Sequence, residues 1–376
     1  MKKISILQTP PRFYPYIGGT ENHVYHLSRE LIKDGYAVKV ICANEPKSTD
    51  KKIEGISIER LAYPFKVTNT TITPYLPISI LKSKFDILHT HMPTPWSSDV
   101  SILLAKIMKK KSIITIHNDM DKSSFISKLV TKIYLYTFYK LSLALVDKII
   151  IINPNWETSF IATKNILKNY KQKISVIPNG IDLSLFKKTR IDNRNKNKLL
   201  FVSLLDKYHS FKGIDYLLEA IKIAKNSISD IDLDIIGEGE LKEYYQKKSK
   251  KLHIQNNVHF IGEIKHTDLV SHYNNASLFI LPSTEIEGFG IVLLEAMACA
   301  LPVIATDIVG TSKDIKKYNA GIIVKPKDAQ LLANAILELL KNQKKAKLMG
   351  ANGRKLVEEN YDWGEIAKRI EKVYTV

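Results

Sequence analysis

Cysteine is nearly absent from this chain of 376 residues, in which only Cys42 and Cys299 occur. Both stand in apolar surroundings and far apart in the sequence. They fit a reduced, cytoplasmic protein better than a disulfide scaffold. No Cys/His cluster has the spacing of a zinc site either, so the sequence predicts no metal centre of that kind.

Long hydrophobic runs are absent as well. No stretch of about 18 apolar residues is free of charge, which argues against a transmembrane helix. The opening MKKISILQTP has the basic start of a signal peptide. Its apolar run is too short, and Pro10, Pro11 and Arg12 replace the small residues of a cleavage site.

Acidic residues are few relative to basic ones, 38 against 56, which gives a net charge of +18. Residues 1–180 carry 26 Lys and Arg against 13 Asp and Glu, so most of the excess lies in the first half. A basic half favours an anionic partner, either a membrane surface, a phosphorylated acceptor or nucleic acid. A general enrichment in lysine is the alternative. No nucleic-acid-binding motif is recognisable, so we expect no nucleic acid partner.

Short apolar, β-branched runs alternate with amphipathic stretches along the whole chain. The predicted strands are Ile4–Thr9, Ala37–Cys42, Asp86–Thr90, Ser112–Ile116, Asp147–Ile152, Ile174–Ile177, Lys198–Leu204, Asp232–Ile236, Val258–Ile261, Leu278–Leu281, Pro302–Ala305 and Gly321–Val324. The predicted helices include Thr20–Asp34, Ile214–Lys225, Leu241–Leu252, Val292–Ala300 and Ala329–Lys341. Continuous apolar strands suit sheets buried on both faces, so the rhythm predicts an α/β fold with parallel sheets.

A polar segment, KKTRIDNRNKNK, interrupts this rhythm once. With roughly 150 residues per domain as a guide, it divides the chain into two Rossmann-like domains, 1–186 and 198–357, joined by a linker over 187–197. Residues 358–376 are predicted to form a last helix, with Trp363, Ile366, Ile370 and Val373 at helical spacing.

The most informative segment runs from Glu287 to Glu295. Two acids eight positions apart can lie along one helix face. Gly288 and Gly290 would let backbone N–H groups approach a ligand at a helix N-terminus, and carboxylates accept hydrogen bonds from sugar hydroxyls. The alternative is a pair of acids with no ligand.

These residues resemble a known family. PSTEIEGFGIVLLEAMACALPVIATD is similar to the E-x7-E signature of the retaining GT-B glycosyltransferases, which include sucrose synthase-like and phosphatidylinositol mannosyltransferase-like enzymes. Further segments follow in the family's order, at residues 16–21, 89–91, 115–118, 176–182, 211–217 and 236–239. The resemblance covers about residues 4 to 375. It implies a GT-B fold, two Rossmann-like domains with parallel sheets facing a central cleft, and a last helix that crosses back to the first domain.

The resemblance also implies an activity: transfer of a sugar from a nucleoside-diphosphate sugar to a glycan or lipid-linked acceptor, with retention and without a metal or other cofactor. The first domain would serve the acceptor and the second the nucleotide-sugar. The competing interpretations are a non-catalytic nucleotide-sugar-binding or scaffold protein, and a GT-B epimerase or phosphorylase.

Particular residues acquire roles from this resemblance. His117, Glu287 and Lys212 would act at the reacting centre, with the lysine neutralising the diphosphate leaving group. The residues expected to bind the donor are Gly18, Gly19, Gly237, Phe289, Gly290, Ile291 and Glu295, the last at the ribose. The chain departs from the family at Ser203-Leu204, where Gly-Arg is common, and we expect Lys207 or His209 to supply the missing charge.

Two Asp-x-Asp triplets, 119–121 and 232–234, offer an alternative with a divalent cation. Their positions favour a structural role. The second opens a predicted buried strand, and the first begins a helix-like stretch where acids favour the helix dipole.

Residues 122–148 predict a helix with a basic and aromatic face made by Lys128, Lys132, Tyr136 and Tyr139. Such a face could rest on anionic lipid headgroups at the inner side of the cell membrane, with Lys109–Lys111 assisting. The alternative is an ordinary helix covering the first sheet.

Overall fold

The computed structural model describes residues 3–16, 18–67, 70–120, 125–189, 196–285 and 287–375, and excludes the side chains of residue 67 and residues 125–128. Its strands are β1 Ser5–Thr9, β2 Ala37–Ala43, β3 Lys52–Ile53, β4 Ile56–Leu61, β5 Phe65–Val67, β6 Thr70–Ile72, β7 Ile87–Met92, β8 Lys111–Ile116, β9 Lys148–Ile151, β10 Ile174–Val176, β11 Lys198–Val202, β12 Asp232–Ile236, β13 Val258–Gly262, β14 Leu278–Leu281, β15 Val303–Thr306 and β16 Gly321–Val324.

The helices are α1 Gly19–Lys33, α2 Leu76–Lys82, α3 Ser97–Ile107, α4 Phe125–Tyr134, α5 Lys140–Leu145, α6 Trp156–Ser159, α7 Lys164–Leu167, α8 Ile214–Lys225, α9 Lys242–Lys251, α10 His266–Asn275, α11 Ile291–Ala298, α12 Ser312–Tyr318, α13 Ala329–Lys341, α14 Gln343–Asn360 and α15 Trp363–Thr375. A π-helical turn, Leu135–Tyr139, joins α4 to α5, and 3₁₀ turns occupy Lys168–Lys173 and Lys207–Lys212. Within the described residues, no helix is long and apolar enough to cross a membrane.

The chain divides into two compact units: residues 1–180 with 363–376, and residues 181–362. The first unit holds an eight-stranded sheet in the order β10-β9-β8-β7-β1-β2-β4-β3. Among the described strands of this sheet, β3 alone runs antiparallel to its neighbour. Apolar side chains on both faces of this sheet are buried, as the continuous apolar strands predict.

The second unit holds a six-stranded, fully parallel sheet in the order β13-β12-β11-β14-β15-β16. Its core is one continuous cluster that includes Leu199, Ile235 and Ile304 from the strands and Leu217 and Leu294 from the helices. Both sheets confirm the predicted α/β class with parallel sheets, and all twelve predicted strands are present.

The units separate at Gly180–Ile181, before the segment 187–197 that the sequence marked as a linker. The reason is packing, because Ile181 and Phe186 are buried in the core of the second unit. Residues 190–195 of that segment lie outside the described residues. At the other end, α15 belongs to the first unit, where Trp363, Ile366 and Ile370 pack into the core beside α1.

Candidate functional site

In the second unit, the candidate residues gather where the parallel strands end. Lys212 stands at the end of the 3₁₀ turn after β11, and Glu287 follows β14. The Lys212 ammonium donates to the Glu287 carboxylate, and both side chains are largely buried, at 14% and 11% exposure. The structure therefore brings together two predicted reacting-centre residues that are 75 positions apart in the sequence.

Gly213 fixes the position of Lys212. Its φ of +83° lies in the left-handed region, and a Cβ there would stand 2.0 Å from the carbonyl oxygen of Pro282. The backbone of Phe211 also accepts a 2.7 Å hydrogen bond from the N–H of Thr284. The Lys212 loop is thus closely packed against the end of β14, and only glycine permits this approach.

Glu287 does not share a helix face with Glu295, contrary to the expectation from their spacing. Helix α11 begins at Ile291, after Gly290 adopts a left-handed φ of +76°. Glu287 lies earlier, in an extended segment paired with Val309, and its carbonyl accepts from the N–H of Gly310 at 3.0 Å. The left-handed Gly290 keeps the helix from extending back to Glu287, so the two acids contact different partners.

Glu295 lies within α11 and is buried. Its carboxylate accepts from the Tyr273 hydroxyl at 2.7 Å and contacts the His266 Nε2 at 3.1 Å. The hydrogen bond to Glu295 raises the pKa of His266. Tyr273 and His266 are members of this site that sequence reasoning missed, since they lie on α10 and neither carries a motif of its own.

The loop after β11 contains the departure from the family pattern. Leu204 is exposed. The backbones of Ser203 and Gly237 lie so close together that a Cβ on residue 237 would stand 1.8 Å from the Ser203 carbonyl oxygen. Lys207 is mostly exposed and 3.9 Å from Glu240. His209 contacts the Asp206 carboxylate through Nδ1 at 2.8 Å. Lys207 and His209 thus belong to the same 3₁₀ turn as Lys212.

In the first unit, Gly18 and Gly19 stand at the start of α1, directly after the loop that follows β1. An added Cβ at Gly18 would approach the Glu21 carboxylate at 2.4 Å, whereas nothing lies within 4 Å of one at Gly19. Gly19 therefore has open space beside its Cα, whereas Gly18 lies against the Glu21 carboxylate. Ile17, within the same motif, lies outside the described residues.

His117 directly follows β8 and belongs to a cluster of buried histidines with His23, His89 and His91. His89 and His91 lie inside β7. The ring of His23 stands edge-on to that of His117, with centroids 4.9 Å apart. Burial, with a smaller contribution from neighbouring histidines, holds the pKa of His117 and His91 well below the usual range. The cluster is therefore neutral near pH 7.

The Asp-x-Asp residues that the structure describes are already paired. Asp234 and Asp232 lie 2.8 and 3.5 Å from the Lys198 ammonium. Asp119 accepts from the Thr163 hydroxyl and the Ala162 N–H, both at 2.7 Å. Asp119 sits in a loop before α4, not in a helix, and Asp121 lies outside the described residues. Each described aspartate of the two triplets therefore has a partner within the protein, and their structural role stays a prediction.

The predicted basic face over 122–148 needs correction. Lys132 and Tyr136 are exposed, and the Lys140 ammonium lies 4.6 Å from the Tyr136 ring centroid, but Tyr139 is 1% exposed and packs in the core. The π-helical turn changes the 3.6-residue period on which the prediction relied. The side chain of Lys128 lies outside the described residues. The exposed face is instead mainly apolar: Leu129, Val130, Ile133, Tyr136, Phe138 and Leu141 are each more than half exposed.

Two protein-family models match almost the whole chain. The model described as Glycosyl transferases group 1 matches residues 185–356. The model described as Glycosyltransferase Family 4 matches residues 17–185. The junction between the two matches falls close to the division between the compact units.

Individual relatives span the same length. The chain is 26% identical to O-antigen chain mannosyltransferase C of Escherichia coli, with 98% of each chain covered. It is 25% identical to the phosphatidyl-myo-inositol mannosyltransferase of Mycobacterium tuberculosis, covering 97% of this chain and 94% of that protein. Its fold is similar to that of Anabaena HepE, crystallised with UDP, with a TM-score of 0.76, 18% identity, and 99% and 100% coverage.

Proposed function

The chain belongs to the glycosyl transferases group 1 and glycosyltransferase family 4, and from this premise we propose that it transfers a sugar from a nucleoside diphosphate to a glycan or lipid-linked acceptor with retention. The proposal depends most on one observation, the largely buried Lys212–Glu287 pair at the carboxyl ends of the strands of the second unit.

This pair suits a sugar-diphosphate. Without a ligand, the ammonium and the carboxylate neutralise each other. A bound donor would give each a further partner, since phosphate oxygens match Lys212 and sugar hydroxyls match Glu287. As the bond to the sugar breaks, negative charge develops on the diphosphate. A preorganised ammonium stabilises that charge more strongly in a partly buried site than in water.

The N-terminus of α11 adds to this positive environment. The backbone N–H groups of Phe289, Gly290 and Ile291 belong to the segment that opens the helix, where the dipole favours anionic oxygen. Together with Lys212 they supply the positive charge for which other transferases use a divalent cation. We therefore propose metal-independent transfer, and expect full activity in excess EDTA.

The relatives suggest substrates. Anabaena HepE has been crystallised with UDP, with UDP and glucose, and with UDP-glucose, which makes a uridine diphosphate sugar the first donor to test. The names of the curated relatives refer to an O-antigen chain and to phosphatidyl-myo-inositol. Both are consistent with a glycan or lipid-linked acceptor. On the first unit, we propose that His117 contacts a hydroxyl of the donor sugar.

We also propose that the exposed face of α4, the π-helical turn and α5 contacts an anionic membrane. Its apolar side chains, Ile133 and Phe138 among them, would enter the headgroup region, and Lys132 and Lys140 would meet lipid phosphates. A lipid-linked acceptor would be reached from such a position.

Calorimetry tests the donor site. UDP, GDP and ADP are titrated into the protein with EDTA present. We expect one of them to bind, and Lys212→Met to weaken it at least tenfold, because a charge-assisted hydrogen bond contributes about 1.5–3 kcal/mol. Lys222→Met, an exposed lysine on α8, is the matched control and should bind as the wild type does. Binding only with Mn²⁺ or Mg²⁺ would contradict the metal-free proposal.

Product analysis tests the reaction itself. The anomeric configuration of the transferred or released sugar is read by NMR, and retention is expected. Inversion would contradict the proposed stereochemistry.

Vesicle co-sedimentation tests the membrane contact. Vesicles of phosphatidylcholine with phosphatidylglycerol should bind the wild type, and the double variant Ile133→Ser, Phe138→Ser should bind less. Leu348→Ser, which changes an equally exposed residue on α14 of the other unit, is the control. Equal binding of all three proteins would exclude this face.

A further inference from the structure

Three buried side chains form a hydrogen-bonded row across adjacent strands of the first sheet. Gln8 lies on β1, His91 on β7, and His117 immediately after β8. The His91 Nε2 is 2.8 Å from the Gln8 Oε1, and the His91 Nδ1 is 3.1 Å from the His117 Nε2. Gln8 and His91 are fully buried, and His117 is 5% exposed.

The positions of the protons in this row depend on one another. A neutral imidazole carries one N–H and one lone pair. Because the Gln8 oxygen can only accept, His91 must carry its proton on Nε2. Its Nδ1 is then a lone pair and must accept from His117, which therefore carries its proton on Nε2. The Nδ1 of His117 is left as a hydrogen-bond acceptor.

The orientation of the Gln8 amide decides the direction of the row. Its nitrogen lies outside hydrogen-bond geometry with every described residue. Burial raises the pKa of Tyr374, and the Gln8 side chain, which lies near the Tyr374 hydroxyl, lowers it slightly. The Tyr374 hydroxyl in turn bonds the His89 Nδ1 at 2.7 Å. An amide turned the other way would reverse every proton in the row and place the His117 proton on Nδ1.

We propose that Gln8 and His91 are positioning residues that hold His117 in the Nε2–H tautomer, so that its Nδ1 accepts a hydrogen bond from a hydroxyl of the donor sugar. The contact with sugar rests on the proposed function, whereas the tautomer is a property of the protein alone. The two can therefore fail separately.

The tautomer is measured on the ligand-free protein by NMR of ¹⁵N-labelled histidine side chains. The His117 resonances are assigned by their loss in His117→Gln. We expect one tautomer, protonated at Nε2, near neutral pH. Protonation at Nδ1, or a mixture of both tautomers, would overturn the proposal.

Variants then test the role of His91. His91→Phe keeps a ring but removes the acceptor for His117, so mixed tautomers are expected. His91→Asn offers an oxygen near the lost Nδ1 and should restore the Nε2–H form. His89→Phe is the matched control, since it changes a buried histidine of the same strand whose ring nitrogens bond Tyr374 and Thr115. A wild-type His117 tautomer in His91→Phe would also overturn the proposal.

Kinetics connect the tautomer to the reaction. With UDP-glucose as the probe, or the donor identified by calorimetry, kcat in His91→Phe should fall about tenfold below that of His89→Phe, and His91→Asn should recover part of it. Equal kcat in the two Phe variants would remove the positioning role. If the NMR result holds but the wild type transfers no sugar, the proposed function fails and the tautomer assignment stands.

Discussion

Acid should destabilise the first unit through His23, and the effect can be isolated by one substitution. His23 is fully buried in α1, and its Nδ1 is 2.7 Å from the Asn179 Oδ1. Burial lowers the pKa of His23 to about 4. The pKa of a histidine in the unfolded chain is near about 6.5. Between that pH and about pH 4, His23 is therefore protonated in the unfolded state but not in the folded state. The free energy of unfolding is therefore unaffected by His23 above about pH 6.5 and decreases as the pH falls below that value.

The size of the effect follows from linkage. Each pH unit between the two pKa values corresponds to about 1.4 kcal/mol, so His23 should remove about 2 kcal/mol of unfolding free energy between roughly pH 7 and pH 5. Glu371 acts in the opposite direction, because burial and the neighbouring Asp34 raise its pKa to about 7. A comparison of two proteins that both contain Glu371 cancels its contribution.

The comparison is between the wild type and His23→Asn, which keeps an amide donor near the lost Nδ1. Urea unfolding is followed at several pH values by tryptophan fluorescence, which reports this unit because all three tryptophans, Trp96, Trp156 and Trp363, belong to it. The variant will be less stable at every pH from lost packing. The prediction concerns the slope: the wild type should lose about 2 kcal/mol more than the variant between pH 7 and 5. Parallel pH curves would refute the reasoning.

Three further substitutions test other contacts. Gly213→Ala should destabilise the second unit by about 2 kcal/mol or more, measured by circular dichroism in urea, because its backbone is left-handed and a Cβ meets the Pro282 carbonyl at 2.0 Å. Tyr273→Phe should lower the free energy of unfolding by about 1–3 kcal/mol in the same assay, because it removes the 2.7 Å hydrogen bond to buried Glu295. Tyr208→Phe, at an exposed position, is the control and should change that free energy little. Gly19→Ala, where a Cβ meets nothing within 4 Å, should keep stability within about 1 kcal/mol but weaken nucleotide binding measured by calorimetry; unchanged binding would remove Gly19 from the predicted phosphate site.

Most of the fold could be predicted from local pattern. Buried parallel strands are continuous apolar runs, and helices such as α8 and α13 begin and end at the residues that amphipathic periodicity indicates. The four strands between residues 52 and 72 were missed because they are short and half polar, and lie beyond the central part of the sheet or in a separate hairpin. Tyr139 was wrongly predicted to lie on the exposed face, because no local sequence pattern predicts a π-helical turn.

The candidate site was harder to predict, since its residues meet only through the fold. Motif order identified Glu287 and Lys212 separately, but only the sheet topology shows that they pair. The spacing of Glu287 and Glu295 suggested a shared helix face, and the left-handed Gly290 prevents it. Tyr273 and His266 carry no signal that single-sequence reasoning can detect, because a tyrosine and a histidine on an amphipathic helix have no special spacing.

The first sheet contains a local conflict between folding and chemistry. The amino-terminal parts of β1, β7 and β8 supply apolar core residues such as Ile6, Leu88 and Ile113. Their carboxyl ends instead bury Gln8, His89–His91, Thr115 and His117, none of them more than 5% exposed. Apolar side chains there would avoid the cost of desolvating these groups and of keeping three imidazoles neutral. Ligands of open parallel sheets bind beyond the carboxyl ends of the strands, so this cost falls at the edge of the sheet where a ligand is expected. In this buried layer His91 bonds His117 directly, and that contact is what makes a single His117 tautomer attainable.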